Sequence, residues 1–370
     1  MKRILVVGMT DNPGGIEAVV MSYYRAIDKS RFAFDFLSNN ERMAYEDEIS
    51  QMGGRVFHIA PRHQSFLKFY TDLNSFLSER AKDYDAIWLN VCSLANISYL
   101  SLAKRYGIRK RIIHCHNAQN GEGKLRGILH RFNKLRIRRI ATDFWSCSNS
   151  ASEWFFGSDY ESIPNYRFIP NVIDVDKYAF NSDIRVQMRS MLNLSDESIV
   201  IGNVARFEYQ KNHKALLQFF KDLHELDSRY RLLLIGQGSL ENEIRDYVSK
   251  NNLGTCVLFT GVRNDVDKLY QAMDVFVLSS LFEGLPISAL EAQANGLPCV
   301  MSTGCPPSCF VNDNTLRFDF SVDSFDAANK IDTWIKHLSQ KRSSTLAIRD
   351  SIYSIDKQIS SFEKAISDEE

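Results

Sequence analysis

Short apolar runs rich in β-branched and aromatic residues recur along the whole chain, and longer stretches with helical periodicity separate them. Near-continuous apolar runs of this kind are typical of parallel strands that helices cover on both faces. The pattern therefore predicts an α/β protein with doubly wound sheets. The runs that we predict to be strands are Ile4–Val7, Phe34–Leu37, Val56–Ile59, Ala86–Leu89, Arg111–Cys115, Phe144–Cys147, Tyr166–Ile169, Ile199–Val204, Arg231–Ile235, Val257–Thr260, Val275–Leu278, Cys299–Ser302 and Leu316–Phe318.

The segment from 174 to 197 interrupts this alternation, because it is polar and contains no strand-like run. A chain of 370 residues also exceeds the usual size of one domain. We therefore predict a first domain over residues 1–180 and a second over residues 181–345. Residues 346–370 are expected to form a final helix that packs back towards the first domain and ends in an acidic tail.

The composition is that of an ordinary globular protein, with 44% hydrophobic residues, 24% charged residues and no formal net charge. No global field therefore favours nucleic acid as a partner. The opening MKRILVVGMT lacks the longer apolar core and the cleavage site of a secretory signal, and no apolar run approaches the roughly 18 residues of a membrane span. Seven scattered cysteines fit reduced thiols, so we expect a cytoplasmic protein.

Ligands bind beyond the carboxyl ends of the strands in open parallel sheets, so the residues that follow each strand are the candidates for chemistry. After the strand Val275–Leu278 the chain reads Glu283-Gly284-Leu285-Pro286, and Glu291 lies in the helix that follows. The free N–H groups at the start of that helix suit a diphosphate. Ionised carboxylates accept hydrogen bonds from sugar or ribose hydroxyls, although a solvated loop or helix glutamate is the open alternative for each.

Two cations follow the strand Ile199–Val204. Arg206 and Lys211 are five residues apart on a loop between a strand and a helix, where they can hold a diphosphate between a planar fork and a point charge. Two solvated loop cations are the alternative. Gly236 and Gly238 follow the next strand, where a tight turn explains them equally well.

The first domain carries two further candidates. Gly14 and Gly15 follow the first strand, and glycines there let the backbone approach a phosphate or an acceptor closely. His114 and His116 lie at the end of another strand. We favour His116 for contact with the donor sugar and expect His114 to be structural. We also expect their side chains to point apart and to share no metal ion.

These segments resemble a known family. The stretch from Glu283 to Ala292 is similar to the E-x7-E segment of family-4 retaining glycosyltransferases of the GT-B fold, of the bacterial capsular and exopolysaccharide type. The stretch Gly202–Asn212 resembles the family's G-x-x-x-R-x-x-x-x-K-N segment. The resemblance implies two Rossmann-like domains that face a central cleft. It also implies retaining transfer from a nucleotide diphosphate sugar, most commonly a UDP-sugar, to a saccharide acceptor, with no cofactor.

The resemblance implies a role for each site residue. Arg206 and Lys211 would hold the pyrophosphate, Glu283 and His116 would contact the donor sugar, and Glu291 would bind the ribose. Backbone groups at Gly14, Gly15, Gly236, Gly284, Leu285 and Pro286 would approach the donor, and Arg263 would lie beside the nucleobase. The acceptor would be a lipid-linked saccharide of surface polysaccharide synthesis. After Cys299–Ser302, however, the chain lacks the carboxylate that the family commonly has there, so the donor sugar cannot be carried over.

Three D-x-D patterns could suggest a metal site. The pattern at Asp83 precedes a strand, and the pattern at Asp174 lies in the interdomain segment. The pattern at Asp265 starts a helix as a cap. None has the position that a cation bridging to a diphosphate requires. We therefore predict no metal, with Arg206 and Lys211 in its place.

Positive charge is concentrated between Lys104 and Arg139, where twelve Lys and Arg residues face one acidic residue, Glu122. Apolar residues recur in this segment at helical spacing, which predicts a basic amphipathic helix. These residues are Leu125, Ile128, Leu129, Phe132 and Leu135. We expect residues 104–139 to dock on an anionic membrane surface, at the inner face of the cell membrane. A surface helix packed on the core with a solvated cationic face is the alternative.

Other classes of protein share parts of this pattern. A nucleotide-sugar epimerase of the same fold would share the phosphate site but needs several acid/base carboxylates. A nicotinamide-dependent oxidoreductase is excluded because Gly8 and then Gly14 do not form G-x-G-x-x-G. A basic nucleic-acid-binding or membrane-binding protein without catalysis would leave Glu283 and Glu291 unexplained.

Overall fold

The computed structural model describes residues 1–117, 124–321, 324–338 and 342–367. Glu122 and the acidic tail at 368–370 lie outside the described residues, as does the side chain of Lys124. Within this part of the chain two compact units are present. The first contains Met1–Val172 and the C-terminal segment from Ile355, and the second contains Ile173–Ser354.

The first unit is built on a seven-stranded parallel sheet with the strand order β3-β2-β1-β4-β5-β6-β7. Its strands are β1 (Lys2–Val7), β2 (Phe32–Ser38), β3 (Arg55–His58), β4 (Ala86–Val91), β5 (Lys110–Cys115), β6 (Asp143–Ser146) and β7 (Tyr166–Phe168). Its helices up to the unit boundary are α1 (Gly15–Ala26), α2 (Glu46–Gln51), α3 (Phe66–Arg80), α4 (Ser98–Arg105), α5 (Lys124–Ile137) and α6 (Asn149–Phe156). The interior strand β1 is buried from Ile4 to Val7, because helices cover both faces of the sheet.

The second unit repeats this plan with a six-stranded parallel sheet in the order β10-β9-β8-β11-β12-β13. It begins with the helices α7 (Val175–Tyr178) and α8 (Ser182–Met191). The rest is β8 (Ile199–Val204), α9 (His213–Leu226), β9 (Tyr230–Ile235), α10 (Glu241–Lys250), β10 (Val257–Gly261), α11 (Val266–Ala272), β11 (Val275–Leu278), α12 (Ile287–Ala294), β12 (Cys299–Ser302), β13 (Thr315–Phe318), α13 (Ser324–Leu338) and α14 (Leu346–Asp350).

Every apolar run that we predict to be a strand overlaps one, and the α/β fold class is confirmed. Three runs were predicted one residue too long, because Ile59, Cys147 and Ile169 lie just beyond the ends of β3, β6 and β7. In both units the strand order reverses beside the first strand, so that β1 lies between β2 and β4, and β8 lies between β9 and β11. This reversal point is where doubly wound sheets bind ligands. The loops after β1 and β4, and those after β8 and β11, are therefore the expected ligand-binding loops.

The C-terminal segment differs from the prediction. The single helix expected over 346–370 is wrong, because α14 ends at Asp350, Ser351 is extended, and a separate helix α15 (Ile355–Ser367) follows. Helix α15 belongs to the first unit, where Phe362 stacks on Tyr23 with ring centroids 4.1 Å apart.

The units divide between Val172 and Ile173 rather than between residues 180 and 181. Ile173 donates its amide to the carbonyl of Tyr353 and forms a bridge with Ser354, which holds it in the second unit. All seven cysteines are free thiols. No helix in the described ranges combines the length and the hydropathy of a bilayer span.

Candidate functional site

Two loops at the reversal point of the second unit are joined by hydrogen bonds. They follow the neighbouring strands β8 and β11. The amide of Leu281 donates to the carbonyl of Gln210 at 2.8 Å, and the side-chain amide of Gln210 donates to the carbonyl of Phe282 at 2.8 Å. The hydroxyl of Ser279 donates to the carbonyl of Lys211 at 3.0 Å. The two loops that carry the predicted cations and the predicted carboxylate therefore form one rim.

Lys211 and Glu283 meet on this rim. Their Nζ and Oε1 atoms are 2.5 Å apart, and the side chains are only 17% and 6% exposed. The hydroxyl of Ser280 donates to the same carboxylate oxygen at 2.6 Å. A pair removed from water interacts more strongly than one on the surface, so this geometry is well defined. Glu283 is therefore not a solvated loop residue.

Arg206 lies on the same rim but is exposed. Within the described part of the chain, none of its guanidinium nitrogens forms an ion pair or a hydrogen bond with a carboxylate. The guanidinium is consequently available to an anion from solution. The two predicted cations thus differ, since Lys211 is held by Glu283 and Arg206 is free.

Gly236 and Gly238 pack against the loop that carries Arg206. Gly236 has φ of +136°, and a Cβ atom there would lie 2.1 Å from the carbonyl oxygen of Ala205. A Cβ atom on Gly238 would lie 2.4 Å from the carbonyl oxygen of Phe207. Both glycines are required for this close approach of the two loops, and the approach fixes the backbone on both sides of Arg206. A simple tight turn does not account for it.

The start of α12 is open. Pro286 takes the position before the first helical residue with an extended backbone, and the amides of Ile287 and Ser288 have no acceptor within the helix. A Cβ atom on Gly284 would meet nothing within 4 Å, so there is space beside Leu285 at this end. Donors and space together are what an anion needs at the N-terminus of a helix.

Glu291 is buried inside the second unit and is not a surface residue. Its Oε1 accepts a hydrogen bond from the hydroxyl of Tyr178 at 2.7 Å, and its Oε2 accepts one from the hydroxyl of Tyr270 at 2.9 Å. Burial raises the pKa of Glu291, and the two hydroxyls oppose that shift. A ribose hydroxyl would have to share the carboxylate with these tyrosines. The sequence contains no spacing signal for either of them, so both were missed.

Arg263 and Asp265 form a bidentate pair, with nitrogen–oxygen distances of 2.7 and 2.6 Å. Asp265 takes the N-cap position of α11 as expected, but its carboxylate faces Arg263 and accepts no hydrogen bond from the start of the helix. Asp174 does cap α7, accepting from the amide of Lys177 at 3.1 Å. Among the residues that the structure describes, no three His, Cys, Asp or Glu side chains come together as a metal site.

In the first unit, His114 and His116 lie side by side, with ring centroids 4.1 Å apart. The expectation that they point apart is wrong, because alternate residues of a strand share one face. His114 is fully buried between the indole N–H of Trp88 and the carbonyl of Ile169, as a structural histidine would be. Burial lowers its pKa well below the ordinary value.

His116 is held by two asparagines that sequence reasoning missed. Its Nδ1 lies 3.1 Å from the side-chain oxygen of Asn171, and its Nε2 lies 2.9 Å from that of Asn90. Burial lowers the pKa of His116 to about 4, so the ring is neutral near pH 7. Both ring nitrogens face an asparagine side chain, and a neutral ring, which carries one N–H, donates to only one of the two oxygens. A hydrogen bond from His116 to a sugar would therefore displace one asparagine. Position at the carboxyl end of the sheet was a signal that could have found these two residues.

Gly14 and Gly15 lie at the beginning of α1, where Gly14 is the residue before the first helical one. The amide of Gly14 donates to Oε2 of Glu17 at 3.1 Å. Gly8, at the end of β1, has φ of +111°, and a Cβ atom there would collide with the carbonyl of Asn90. The first loop therefore lies directly beside the strand that carries a partner of His116.

Helix α5 presents its large apolar residues to solvent. Leu125, Ile128, Phe132 and Leu135, which we name the apolar stripe, are 70%, 57%, 57% and 80% exposed. The alternative of an apolar face packed on the core is thus wrong for these four. The buried face instead combines the fully buried Ile137 with polar residues. His130 accepts from the amide of Leu94 at 3.1 Å and stacks on Trp154. Asn133 donates to the carbonyl of Leu94 at 2.7 Å.

The cations of this segment divide into two groups. Some are used internally: Lys110 pairs with the buried Asp143 at 3.1 Å, and Arg138 pairs with Asp159 at 2.6 Å. The exposed cations beside the apolar stripe are Arg126, Arg131, Arg136 and Arg139. The guanidinium of Arg136 lies 5.4 Å from the ring centre of Phe132.

Two Rossmann-like units, with cations and a carboxylate on one strand-end rim, define a transferase of the GT-B fold. The family model described as "Glycosyl transferases group 1" matches residues 185–345. The protein EpsF of Bacillus subtilis (strain 168), which is named as a glycosyltransferase, is 35% identical over 309 residues, covering 81% of this chain and 79% of EpsF. The chain therefore belongs to the group 1 glycosyl transferases.

Two further proteins are similar. The Escherichia coli enzyme named UDP-Gal:alpha-D-GlcNAc-diphosphoundecaprenol alpha-1,3-galactosyltransferase is 33% identical over 162 residues, or 43% of this chain and 42% of that enzyme. The crystal structure of Anabaena HepE in complex with UDP and glucose aligns with a TM-score of 0.80 over 99% of this chain and 100% of HepE, at 19% identity. This second likeness shows the shared GT-B fold.

Proposed function

We propose that this glycosyltransferase moves a sugar from a nucleotide diphosphate sugar to a saccharide acceptor, retains the anomeric configuration and needs no metal. The observation that carries the proposal is the rim of the second unit. There the buried pair Lys211–Glu283 lies on the same pair of loops as the free guanidinium of Arg206. A donor offers a diphosphate next to a hydroxyl-rich ring, and the rim offers cations next to a carboxylate.

The chemistry follows from these charges. Negative charge develops on the departing diphosphate, and fixed donors aimed at such charge are usually the largest catalytic contribution. Arg206, Lys211 and the free amides at the start of α12 would supply it. A lysine carries three N–H donors, so Lys211 can bind a phosphate oxygen without leaving Glu283. Because Glu283 is held by Lys211 and Ser280, we assign it to sugar hydroxyls and not to nucleophilic attack. The departing phosphate would then deprotonate the acceptor hydroxyl on the same face.

A UDP-sugar is the proposed donor. The HepE structures contain UDP or UDP-glucose, and the Escherichia coli relative is named for UDP-Gal. Glu291 would bind the ribose alongside Tyr178 and Tyr270, and backbone groups near Arg263 would lie beside the base. The thermal unfolding midpoint should rise with UDP-sugars, because a ligand at about 100 times its Kd stabilises by roughly 2.7 kcal/mol. No shift with any nucleotide sugar, or a shift that survives in Lys211→Ala, would contradict this assignment.

Transfer should continue in EDTA at the rate measured without it. The physical reason is that Arg206 and Lys211 supply the positive charge that a divalent cation would otherwise bring to a diphosphate. The measurement compares initial rates before and after chelation, with magnesium and manganese added back separately. A rate that is abolished by EDTA and restored by either metal would show that a metal site was missed.

The proposed acceptor is a lipid-linked saccharide of surface polysaccharide synthesis, reached from the cytoplasmic face of the cell membrane. The Escherichia coli relative is named for a diphosphoundecaprenol-linked acceptor. The apolar stripe of α5 supports such a location, because four large apolar side chains in water are costly and lipid would cover them. The exposed arginines beside the stripe would add roughly 1 kcal/mol each at an anionic surface.

A further inference from the structure

Two buried polar side chains lie at the base of the loop that carries Arg206 and Lys211. Asn203, on β8, precedes that loop, and His213, the first residue of α9, follows it. The two residues are only 1% and 2% exposed. Both ring nitrogens of His213 and the side-chain oxygen of Asn203 lack a hydrogen-bond partner among the residues that the structure describes. Buried polar atoms without partners are rare and costly, so these three need a physical explanation.

The two side chains belong to the same side of the second sheet. Alternate residues of a strand share one face, so Asn203 faces the same way as Ile201. Ile201 packs in one core cluster with Leu216 and Leu217 of α9. These leucines come three and four residues after His213, which places His213 on the helix face that covers the sheet. The imidazole and the unpaired oxygen therefore share one buried layer.

His213 also contacts the loop itself. Its ring packs edge to face on Phe207, with centroids 4.7 Å apart, and Phe207 directly follows Arg206. Burial and the neighbouring Lys211 lower the pKa of His213 to about 4, so the ring is neutral near pH 7 and carries one N–H. A phenyl ring would pack in this apolar layer without an unpaired nitrogen. Packing alone therefore does not explain a histidine at this position.

We infer that His213 is a positioning residue for the two cations: its ring N–H pairs with the side-chain oxygen of Asn203 when Arg206 and Lys211 bind the diphosphate. This hydrogen bond closes the base of the loop that carries both cations. The diphosphate draws the cations towards itself, and the backbone between Asn203 and His213 moves with them. Part of the binding energy is thereby used to fix the donors that stabilise the departing group. The inference rests on the proposed function.

The test is the Kd of UDP, measured by calorimetry on the full chain, together with the thermal unfolding midpoint without UDP. His213→Phe keeps the aromatic packing and removes both nitrogens. We expect the Kd of UDP to rise about 10-fold, which is the scale of one lost hydrogen bond. The unfolding midpoint should stay the same or rise, because two unpaired polar atoms are removed. His213→Gln keeps an N–H donor and should restore most of the affinity.

A double-mutant cycle tests the partner. Asn203→Leu removes the unpaired oxygen, so adding His213→Phe to it should weaken UDP binding no further. If His213→Phe does not fold, Asn203→Leu should still show the 10-fold loss on its own. His224→Phe is the matched control, because His224 lies in the last turn of α9 and its Nδ1 lies 3.1 Å from the carbonyl of Tyr230. It should leave the Kd of UDP unchanged.

The possible results for UDP binding have different consequences. An unchanged Kd in folded His213→Phe would reduce His213 to a core residue and overturn the inference. Losses that add in the double variant, or an equal loss in His213→Gln, would overturn the pairing with Asn203. A wild-type chain that binds UDP with the expected coupling but transfers no sugar would contradict the proposed function alone. A wild-type chain that binds no UDP would contradict the proposed donor, and the inference would fall with it.

Discussion

The single variants Arg206→Ala and Lys211→Ala should each transfer sugar about 100-fold more slowly than the wild type, or slower still. Removal of one fixed donor to a developing negative charge costs about 3 kcal/mol or more of transition-state stabilisation. The measurement is kcat under saturating donor and acceptor. Lys214→Ala is the matched control, because Lys214 is an exposed cation in the first turn of the neighbouring helix α9. Its rate should stay within about twofold of the wild type, since a solvated surface charge that is not fixed on the diphosphate contributes little.

The two variants should differ in stability. Arg206 is exposed, so its removal should leave the free energy of unfolding nearly unchanged. Lys211→Ala leaves the largely buried carboxylate of Glu283 without its cation, and breaking a buried pair costs up to about 3–5 kcal/mol, less the contribution of the hydrogen bond that Ser280 retains. The double variant Lys211→Met/Glu283→Gln should recover stability without recovering rate. Near-normal turnover in folded Arg206→Ala would contradict the assignment of the diphosphate to this rim.

Replacing Ile128, Phe132 and Leu135 with serine should abolish sedimentation of the protein with vesicles that contain anionic lipid. Each large apolar side chain is worth about 1.5–3 kcal/mol when it leaves water, so three of them outweigh the charge contribution. The matched control is Val186→Ser/Met191→Ser, because these residues of α8 are similarly exposed, at 68% and 54%, but belong to the second unit. The control should sediment like the wild type.

Charge should contribute separately to vesicle binding. Changing Arg126, Arg131, Arg136 and Arg139 to glutamine should weaken sedimentation and remove its salt dependence, since the Debye length falls from about 10 Å at 0.1 M to about 3 Å at 1 M. Lys134 and Arg138 are left intact, because they donate to the carbonyl of Trp154 and to Asp159 within the fold. If the wild type never sediments, or the serine variant still does, α5 is only a solvated face.

The fold was predictable from the sequence because its strands are buried on both faces. A run such as Val275–Leu278 has no polar position, and only a covered parallel strand accommodates it. The rim residues were predictable because they follow such strands directly. The division of the last segment was not, since the bridge between Ile173 and Ser354 joins residues far apart in the chain.

The contacts between the site residues could not be predicted from the sequence either. Glu291 and Tyr178 are 113 residues apart, and Lys211 and Glu283 are 72 apart, so only the folded sheet brings them together. Periodicity located the apolar stripe of α5 but could not say which face is covered. His130 and Asn133 determine which face is covered, because their side chains form hydrogen bonds with the backbone of Leu94. The pairing of Arg263 with Asp265 depends on side-chain geometry in the same way.

The central claim is retaining transfer, and proton NMR of the first product tests it most directly. The reaction would contain the donor sugar nucleotide, an acceptor saccharide and EDTA, and spectra would be recorded before any anomeric equilibration. We predict a glycosidic product with the anomeric configuration of the donor and one nucleotide diphosphate released for each bond formed, with none released when the acceptor is omitted. An inverted product, equal release without acceptor, or an epimerised sugar nucleotide would contradict it.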